Sequence, residues 1–237
     1  MLRLALTCLT ILAWPLPVMA QDGHASPGID EAGLEVESDI ERIAAPLPRL
    51  FPHWDRYLEM DAANRSHFTL AYEIRSDRGV PPEDIRLWYD LDGTVTTIAL
   101  APSGRVESPP SLAAIEAAPT VWVNQPEGGM SLSMQFELSL PADTRYERND
   151  LLTGLAQANR AVRDAAGVAA LFAPNMKTLE FRFEGPAPEA WAVDEDGERT
   201  ALLVQEDRAF FRPRDRENRN VAYLEFGRAP QRVLMDS

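Results

Sequence analysis

Residues 130–140 constrain the fold more than any other segment, because apolar and polar side chains alternate through them without a break. The apolar positions are Met130, Leu132, Met134, Phe136, Leu138 and Leu140, and those between them are Ser131, Ser133, Gln135, Glu137 and Ser139. Alternate side chains of an extended strand point to opposite faces. The segment therefore predicts a strand with one face in the core and one polar face.

Similar strand patterns occur on both sides of that segment. They cover residues 68–75, 85–91, 94–100, 105–107 and 120–124 before it, and 179–183, 190–194, 200–204, 208–212 and 221–226 after it. Asp92-Gly93 and Asp196-Gly197 each separate two of these patterns. Glycine reaches positive φ without a steric cost and aspartate tolerates it, so both pairs predict β-hairpin turns.

One long helix is predicted among these strands, over residues 149–166. Asn149 can serve as its N-cap and Gly167 can end it. The apolar stripe between them consists of Leu151, Leu155, Ala158, Val162 and Ala165. The chain is thus predicted to be an α+β protein, mainly β, in which this helix near 149–166 packs on antiparallel, sandwich-like sheets.

A weak internal repeat connects the two Asp-Gly turns, which lie 104 residues apart. At this offset Leu87 meets Trp191, and Ile98 meets Leu202. The match predicts two related β-rich halves, 39–147 and 148–237, with residues 130–170 inserted between the repeated parts. The alternative is that any two β-hairpins align this well through their turns.

The first 20 residues have the pattern of a cleaved secretory signal. Arg3 precedes an apolar run, and Val18-Met19-Ala20 supplies the small-residue pattern of a cleavage site. The apolar run is too short to span a bilayer, although a retained N-terminal anchor is the alternative. Residues 21–38 are predicted to be a flexible acidic lead. Cleavage near Ala20 would deliver a periplasmic or secreted protein with no membrane span.

Charge and cysteine content narrow the classes of partner. Without residues 1–20 the chain has 22 basic and 37 acidic residues, a formal charge of −15, and no cysteine. A negative surface disfavours nucleic acid and anionic lipid, since both bind positive surfaces. The lack of cysteine excludes disulfides and thiol catalysis. Every basic residue except Lys177 is arginine, which we interpret as the mark of a GC-rich bacterial genome.

No local motif in the sequence indicates a reaction. Nucleophile elbows, P-loops, dinucleotide-binding glycine patterns and HExxH pairs are missing. His53, Asp55 and His67 would form a metal site only if the fold brought them together, and the sequence around Asp90 and Asp92 lacks ligands of a calcium loop. We therefore predict no metal and no other cofactor. A hydrolytic pair of carboxylates needs only spatial closeness, so this alternative stays open.

Three groups of residues are candidates for contact with a ligand or partner. They are Trp88 and Trp122, Met130 and Met134, and Arg212, Arg214 and Arg216. The tryptophans either pack between layers or, if exposed, stack on sugar rings or anchor a partner. The methionines either belong to the core or line an adaptable apolar pocket. The arginines either hold an anionic group or acidic surface, or form a solvated loop.

These observations favour a non-enzymatic binding or protein-interaction protein of the periplasm or envelope. The first alternative is a carrier or sensor of a small apolar or saccharide ligand, with its pocket between strand 130–140 and helix 149–166. The second alternative is an envelope hydrolase. A concave cavity would favour the carrier, and a flat aromatic patch would favour contact with a protein.

Overall fold

A computed structural model describes residues 41–167 and 174–237, so the predicted signal and acidic lead lie outside the described residues. This part of the chain forms three antiparallel sheets and four α-helices, which confirms the predicted α+β, mainly β class. The strands are β1 (Arg42–Pro46), β2 (Phe68–Ser76), β3 (Leu87–Leu91), β4 (Thr94–Thr97), β5 (Thr120–Val123), β6 (Met130–Leu138), β7 (Arg145–Glu147), β8 (Thr178–Arg182), β9 (Ala190–Asp194), β10 (Arg199–Ala201), β11 (Leu203–Gln205), β12 (Arg208–Phe211), β13 (Val221–Phe226) and β14 (Arg232–Asp236). The helices are α1 (Leu47–Leu50), α2 (Trp54–Glu59), α3 (Leu112–Ala117) and α4 (Arg148–Ala166).

The largest sheet, here called the central sheet, has the strand order β11-β12-β8-β14-β6-β2. The strand predicted from alternation is β6, which pairs with β2 from Phe68↔Leu138 to Ser76↔Met130. Tyr72, in β2, lies opposite Met134 on the face that we call the core face, and Glu73 lies opposite Ser133 on the outer face. The period of two therefore separates the two faces as predicted.

Two four-stranded sheets complete the β structure. The N-terminal sheet has the order β1-β5-β3-β4, and the C-terminal sheet has the order β10-β9-β13-β7. The C-terminal sheet packs on the core face of the central sheet, since the Phe181 ring of β8 lies 4.7 Å from Phe226 and 5.6 Å from Tyr146. The arrangement is sandwich-like, because aromatic side chains from two layers share one core.

The two small sheets repeat the same connectivity. In chain order, β1, β3, β4 and β5 of the first half correspond to β7, β9, β10 and β13 of the second half. The first strand of each half leads directly into a helix, α1 or α4. In each half, one strand of the central sheet, β2 or β8, precedes the hairpin of the small sheet, and the last strand, β6 or β14, returns to pair with it. The halves meet where Phe136 of β6 lies opposite Met235 of β14.

The structure corrects two details of the predicted repeat. The carbonyl of Leu87 accepts from Ile98 N, and the carbonyl of Ala190 accepts from Leu202 N, so Leu87 corresponds to Ala190 and not to Trp191. The second hairpin has a longer turn, which displaces the strand before it by one position. Residues 130–170 are also not an insertion, because β6 corresponds to β14, and β7 with α4 corresponds to β1 with α1. The boundary between the repeated halves therefore lies before Arg145 and not after Glu147.

Helix α4 approaches the central sheet closely at Gly154. It begins at Arg148 with Glu147 as the N-cap residue, so the predicted cap at Asn149 is wrong. A Cβ added to Gly154 would lie 2.9 Å from the carbonyl oxygen of His67 and closer still to Leu138, so only glycine allows this approach. None of the helices in 41–167 and 174–237 is long and apolar enough to cross a bilayer.

The Tyr72 phenol is fully buried in the core of the first half. Its hydroxyl donates to the carbonyl of Pro52 at 2.6 Å, and its ring packs against Phe51 with centroids 4.9 Å apart. Burial, followed by the nearby Asp55 carboxylate, raises the pKa of this phenol well above its ordinary value. The folded protein therefore favours the neutral phenol.

We expect the stability of the protein to fall in alkali because of this phenol. Because the pKa of the Tyr72 phenol is higher in the folded protein, this phenol loses its proton at a lower pH in the unfolded chain than in the folded one. Its contribution to the free energy of unfolding is therefore complete below about pH 10 and declines as the pH rises toward the folded pKa. Urea unfolding at about pH 8 and about pH 11 measures the decline. Tyr72→Phe should reduce the decline, although it costs about 1 kcal/mol at neutral pH through the lost hydrogen bond. An equal decline in wild type and Tyr72→Phe would contradict this assignment.

Candidate functional site

An apolar pocket of about 370 Å³ lies between strands β2 and β6 of the central sheet and helices α2 and α4. Its volume falls within the range of small-molecule sites, roughly 300–1,000 Å³. Its lining residues are His53, Arg56, Tyr57, Met60, Phe68, Leu70, Met134, Phe136, Ala161, Val162, Ala165, Ala166 and Pro174. Carbon atoms form nearly all of the exposed lining, because the Tyr57 hydroxyl is turned to the Phe68 carbonyl at 3.2 Å.

The sequence of α4 explains why this space is open. In its first half Leu151 and Leu155 are fully buried against the sheet. In its second half the positions that face the sheet carry the small side chains of Ala161, Ala165 and Ala166, with Val162. These side chains are too short to fill the space above Met134 and Phe136, which are only half-buried. Ala166 and Pro174 stand on either side of residues 168–173, which the structure does not describe.

Two basic side chains of α2 and its N-cap lie at the mouth of the pocket. The Arg56 guanidinium donates from Nη1 to the carbonyl oxygen of Ala165 at 3.2 Å, which links α2 to the last turn of α4. His53 is the N-cap residue of α2, with a left-handed φ of 66°, and its side chain is exposed. The pocket thus combines an apolar interior with a cationic rim.

The predicted tryptophan pair lies elsewhere, on the outward face of the N-terminal sheet. Trp88 of β3 and Trp122 of β5 occupy directly opposite positions, and Ile43 of β1 lies opposite Trp122 on its other side. Ile43 is 56%, Val95 64% and Trp122 37% exposed. We call these four apolar side chains, Trp88, Trp122, Ile43 and Val95, the tryptophan face. Asp90 lies on the same side of the sheet, opposite Val95.

The corresponding surface of the C-terminal sheet is covered by charged side chains. The Arg199 guanidinium lies over the Trp191 ring, 5.0 Å from its centroid, and pairs with Glu225 at 3.2 Å. Arg145 covers Tyr223 in the same way at 3.5 Å. Trp122 of the N-terminal sheet, by contrast, is 37% exposed.

The other predicted contact residues do not gather into a site. Met130, at the start of β6, packs against the core and does not line the pocket. Arg212 donates from Nε to Thr178 Oγ1 at 3.0 Å, whereas Arg214 and Arg216 are exposed in the following loop. Only Met134 among the predicted methionines and arginines therefore contributes to the apolar pocket.

The outer face of the central sheet carries an ion network that the sequence reasoning missed. Glu73 and Glu137 are almost fully buried there, 1% and 6% exposed. Arg232 joins them, donating from Nε to Glu137 Oε1 at 2.6 Å and from Nη1 to Glu73 Oε2 at 3.3 Å. Arg75 pairs with Glu73, and Arg105 pairs with both oxygens of Glu137. Alternation showed which face these residues share, but no local pattern connects Arg232 to β2 or β6.

The network does not resemble a hydrolytic carboxylate pair. A cavity of about 380 Å³ lies beside Arg105, Glu137 and Arg232. Both oxygens of Glu137 accept hydrogen bonds from arginines, at 2.6 to 3.1 Å. A carboxylate held in this way would have to lose these bonds before it could attack or exchange a proton. The geometry favours a structural role for the network.

The residues predicted as possible metal ligands do not form a metal site. Within the described residues no three His, Cys, Asp or Glu side chains lie together as a metal site would need, and His67 instead lies 3.7 Å from Asp150.

Comparison of the chain with models of known protein families, with curated proteins and with solved structures found no match. The function must therefore be inferred from the pocket and the surfaces themselves.

Proposed function

We propose that this protein is an exported, non-enzymatic carrier or sensor that binds a small apolar ligand in the pocket between α2, α4, β2 and β6. The observation that carries the proposal is a carbon-lined pocket of about 370 Å³. An apolar molecule that enters such a space leaves water without breaking hydrogen bonds, at roughly 25 cal/mol per Å² of buried surface. Export rests on the signal pattern of residues 1–20.

Two side chains make the pocket adaptable. Met134 has an unbranched, flexible side chain, and Phe136 stacks on Phe68 with their centroids 6.2 Å apart. Flexible thioether and stacked aromatic groups can adjust to ligands of different shape. These residues support a carrier of a class of apolar molecules, not one narrowly defined compound.

The direct test is binding of the apolar fluorescent dye N-phenyl-1-naphthylamine, which brightens when it leaves water. We expect wild-type protein to bind it with a dissociation constant of about 1–100 µM. Val162→Trp should abolish binding, because the indole would occupy the pocket. Arg163→Trp is the matched control, since it adds the same indole at the next, exposed position of α4. Equal dye binding by wild type and Val162→Trp would refute the proposal.

A second candidate function is contact with an envelope protein or saccharide through the tryptophan face. It is favoured by the contrast between the two halves, because Arg199 covers Trp191, whereas Trp122 is 37% exposed beside the exposed Ile43. Native mass spectrometry of the protein purified gently from its host separates the candidates. A small-molecule mass that disappears with Val162→Trp supports the carrier. A bound saccharide or polypeptide that disappears with Trp122→Ser supports the second function.

A further inference from the structure

We infer that the ligand is an amphiphile, with an aliphatic chain in the pocket and an anionic head group held at its mouth by Arg56. This inference rests on the proposed function, since it assigns a ligand class to the same pocket. Its basis is the charge and position of the groups at the rim. A purely apolar ligand would need no charged group there.

Arg56 is the charged side chain of the pocket lining. Among the described residues of the lining, the other titratable groups are His53 and the Tyr57 phenol, and none is a carboxylate. The acidic residues of the same helix, Asp55 and Glu59, do not line the pocket. This local bias is notable in a chain with a formal net charge of −14. Such a chain repels anions at long range, so binding of one requires a cation at the site.

The Arg56 guanidinium is both fixed and available. Its bond to the Ala165 carbonyl holds it at the C-terminal end of α4, beside a residue that lines the pocket. There it also neutralises the partial negative charge of the helix end. One of its five N–H donors is used in this bond, and within residues 41–167 and 174–237 the guanidinium makes no other hydrogen bond. The remaining donors match the oxygens of a carboxylate, sulfate or phosphate head group.

The test compares three ligands that share one chain and differ in the head group. They are decanoate, decanol and decyltrimethylammonium, each measured by displacement of N-phenyl-1-naphthylamine. We expect wild-type protein to bind decanoate roughly tenfold more tightly than decanol, because a charge-assisted hydrogen bond to a partly exposed arginine has about this effect. The cationic ligand should bind most weakly.

Arg56→Gln should lower the affinity for decanoate to about that for decanol, and so remove the preference. Arg49→Gln is the matched control, because Arg49 is also exposed in a neighbouring short helix but does not line the pocket. If Arg56→Gln does not fold, the salt dependence of ligand binding by the wild-type protein tests the same point. Added sodium chloride should weaken the binding of decanoate and not that of decanol.

The outcomes separate this inference from the function on which it rests. Failure of all three ligands and of the dye would overturn the proposed function. Binding of decanol as tight as that of decanoate would overturn the anionic head group. A preference for decanoate that survives Arg56→Gln and high salt would overturn its capture by Arg56. Either outcome leaves the apolar carrier intact.

Discussion

Arg232→Met should lower the free energy of unfolding by about 3 kcal/mol. The guanidinium of Arg232 is the group that contacts both buried carboxylates, Glu73 and Glu137, and it also donates to Gln135 at 2.8 Å. Methionine keeps a side chain of similar length but removes the charge and the donors. The carboxylates retain Arg75 and Arg105, so the cost lies at the low end for a broken buried ion pair.

Urea denaturation measures this effect, with Arg199→Met as the control. Arg199 pairs with Glu225 where both side chains are about half exposed, 49% and 46%, and such pairs contribute about 0.5 kcal/mol. Adding Glu137→Gln to Arg232→Met should restore part of the loss, because the destabilising charge is then removed. If Arg232→Met costs no more than Arg199→Met, the network does not stabilise the fold.

Phe181→Ala should lower the free energy of unfolding by about 4 kcal/mol, because it leaves a cavity in the core between the central sheet and the C-terminal sheet. The Phe181 side chain is fully buried and touches the rings of Tyr146 and Phe226. The matched control is Phe210→Ala in the neighbouring strand, where the ring is half-buried on the outer face and the cost should be about 1 kcal/mol. Similar losses for both variants would contradict this account of the core.

The same variant tests whether the halves are separate domains. In a Trp191→Phe background the tryptophans of the described residues, Trp54, Trp88 and Trp122, all lie in the first half, whereas Phe181 belongs to the second. Because β6 and β14 pair within one sheet, we expect Phe181→Ala to shift the unfolding curves from tryptophan fluorescence and from circular dichroism together. Curves that separate would show that the halves unfold independently, as two domains.

The sequence predicted most elements well where the signal was local. Three elements depend on residues that are close together in the chain: the alternation of β6, the Asp92-Gly93 turn and the apolar stripe of α4. For each of them, neighbouring residues in the sequence were enough to predict the element. The apolar face of β6 left two interpretations of Met134 open, a core residue or a residue that lines a pocket. In the structure Met134 is half-buried and lines a cavity beside β6 and α4.

What the sequence did not predict depends on long-range pairing. The register of the second hairpin shifted because its turn is longer, and no pattern within the strands reports turn length. Arg56 was overlooked because prolines 48 and 52 leave only short helices around it, and its relation to α4 arises from tertiary packing. Arg232 reaches Gln135 across 97 residues of sequence, so its role became visible only when β14 was placed beside β6.

The position of β14 has a consequence for how the chain is made. This strand is the last in chain order among those described, yet it lies between β8 and β6 in the middle of the central sheet. Until residues 232–236 are synthesised and delivered, β8 and β6 each present an unpaired edge, and such edges recruit other chains. The central sheet therefore cannot close until β14 has been synthesised, and before then the open edges of β8 and β6 need protection from pairing with other chains.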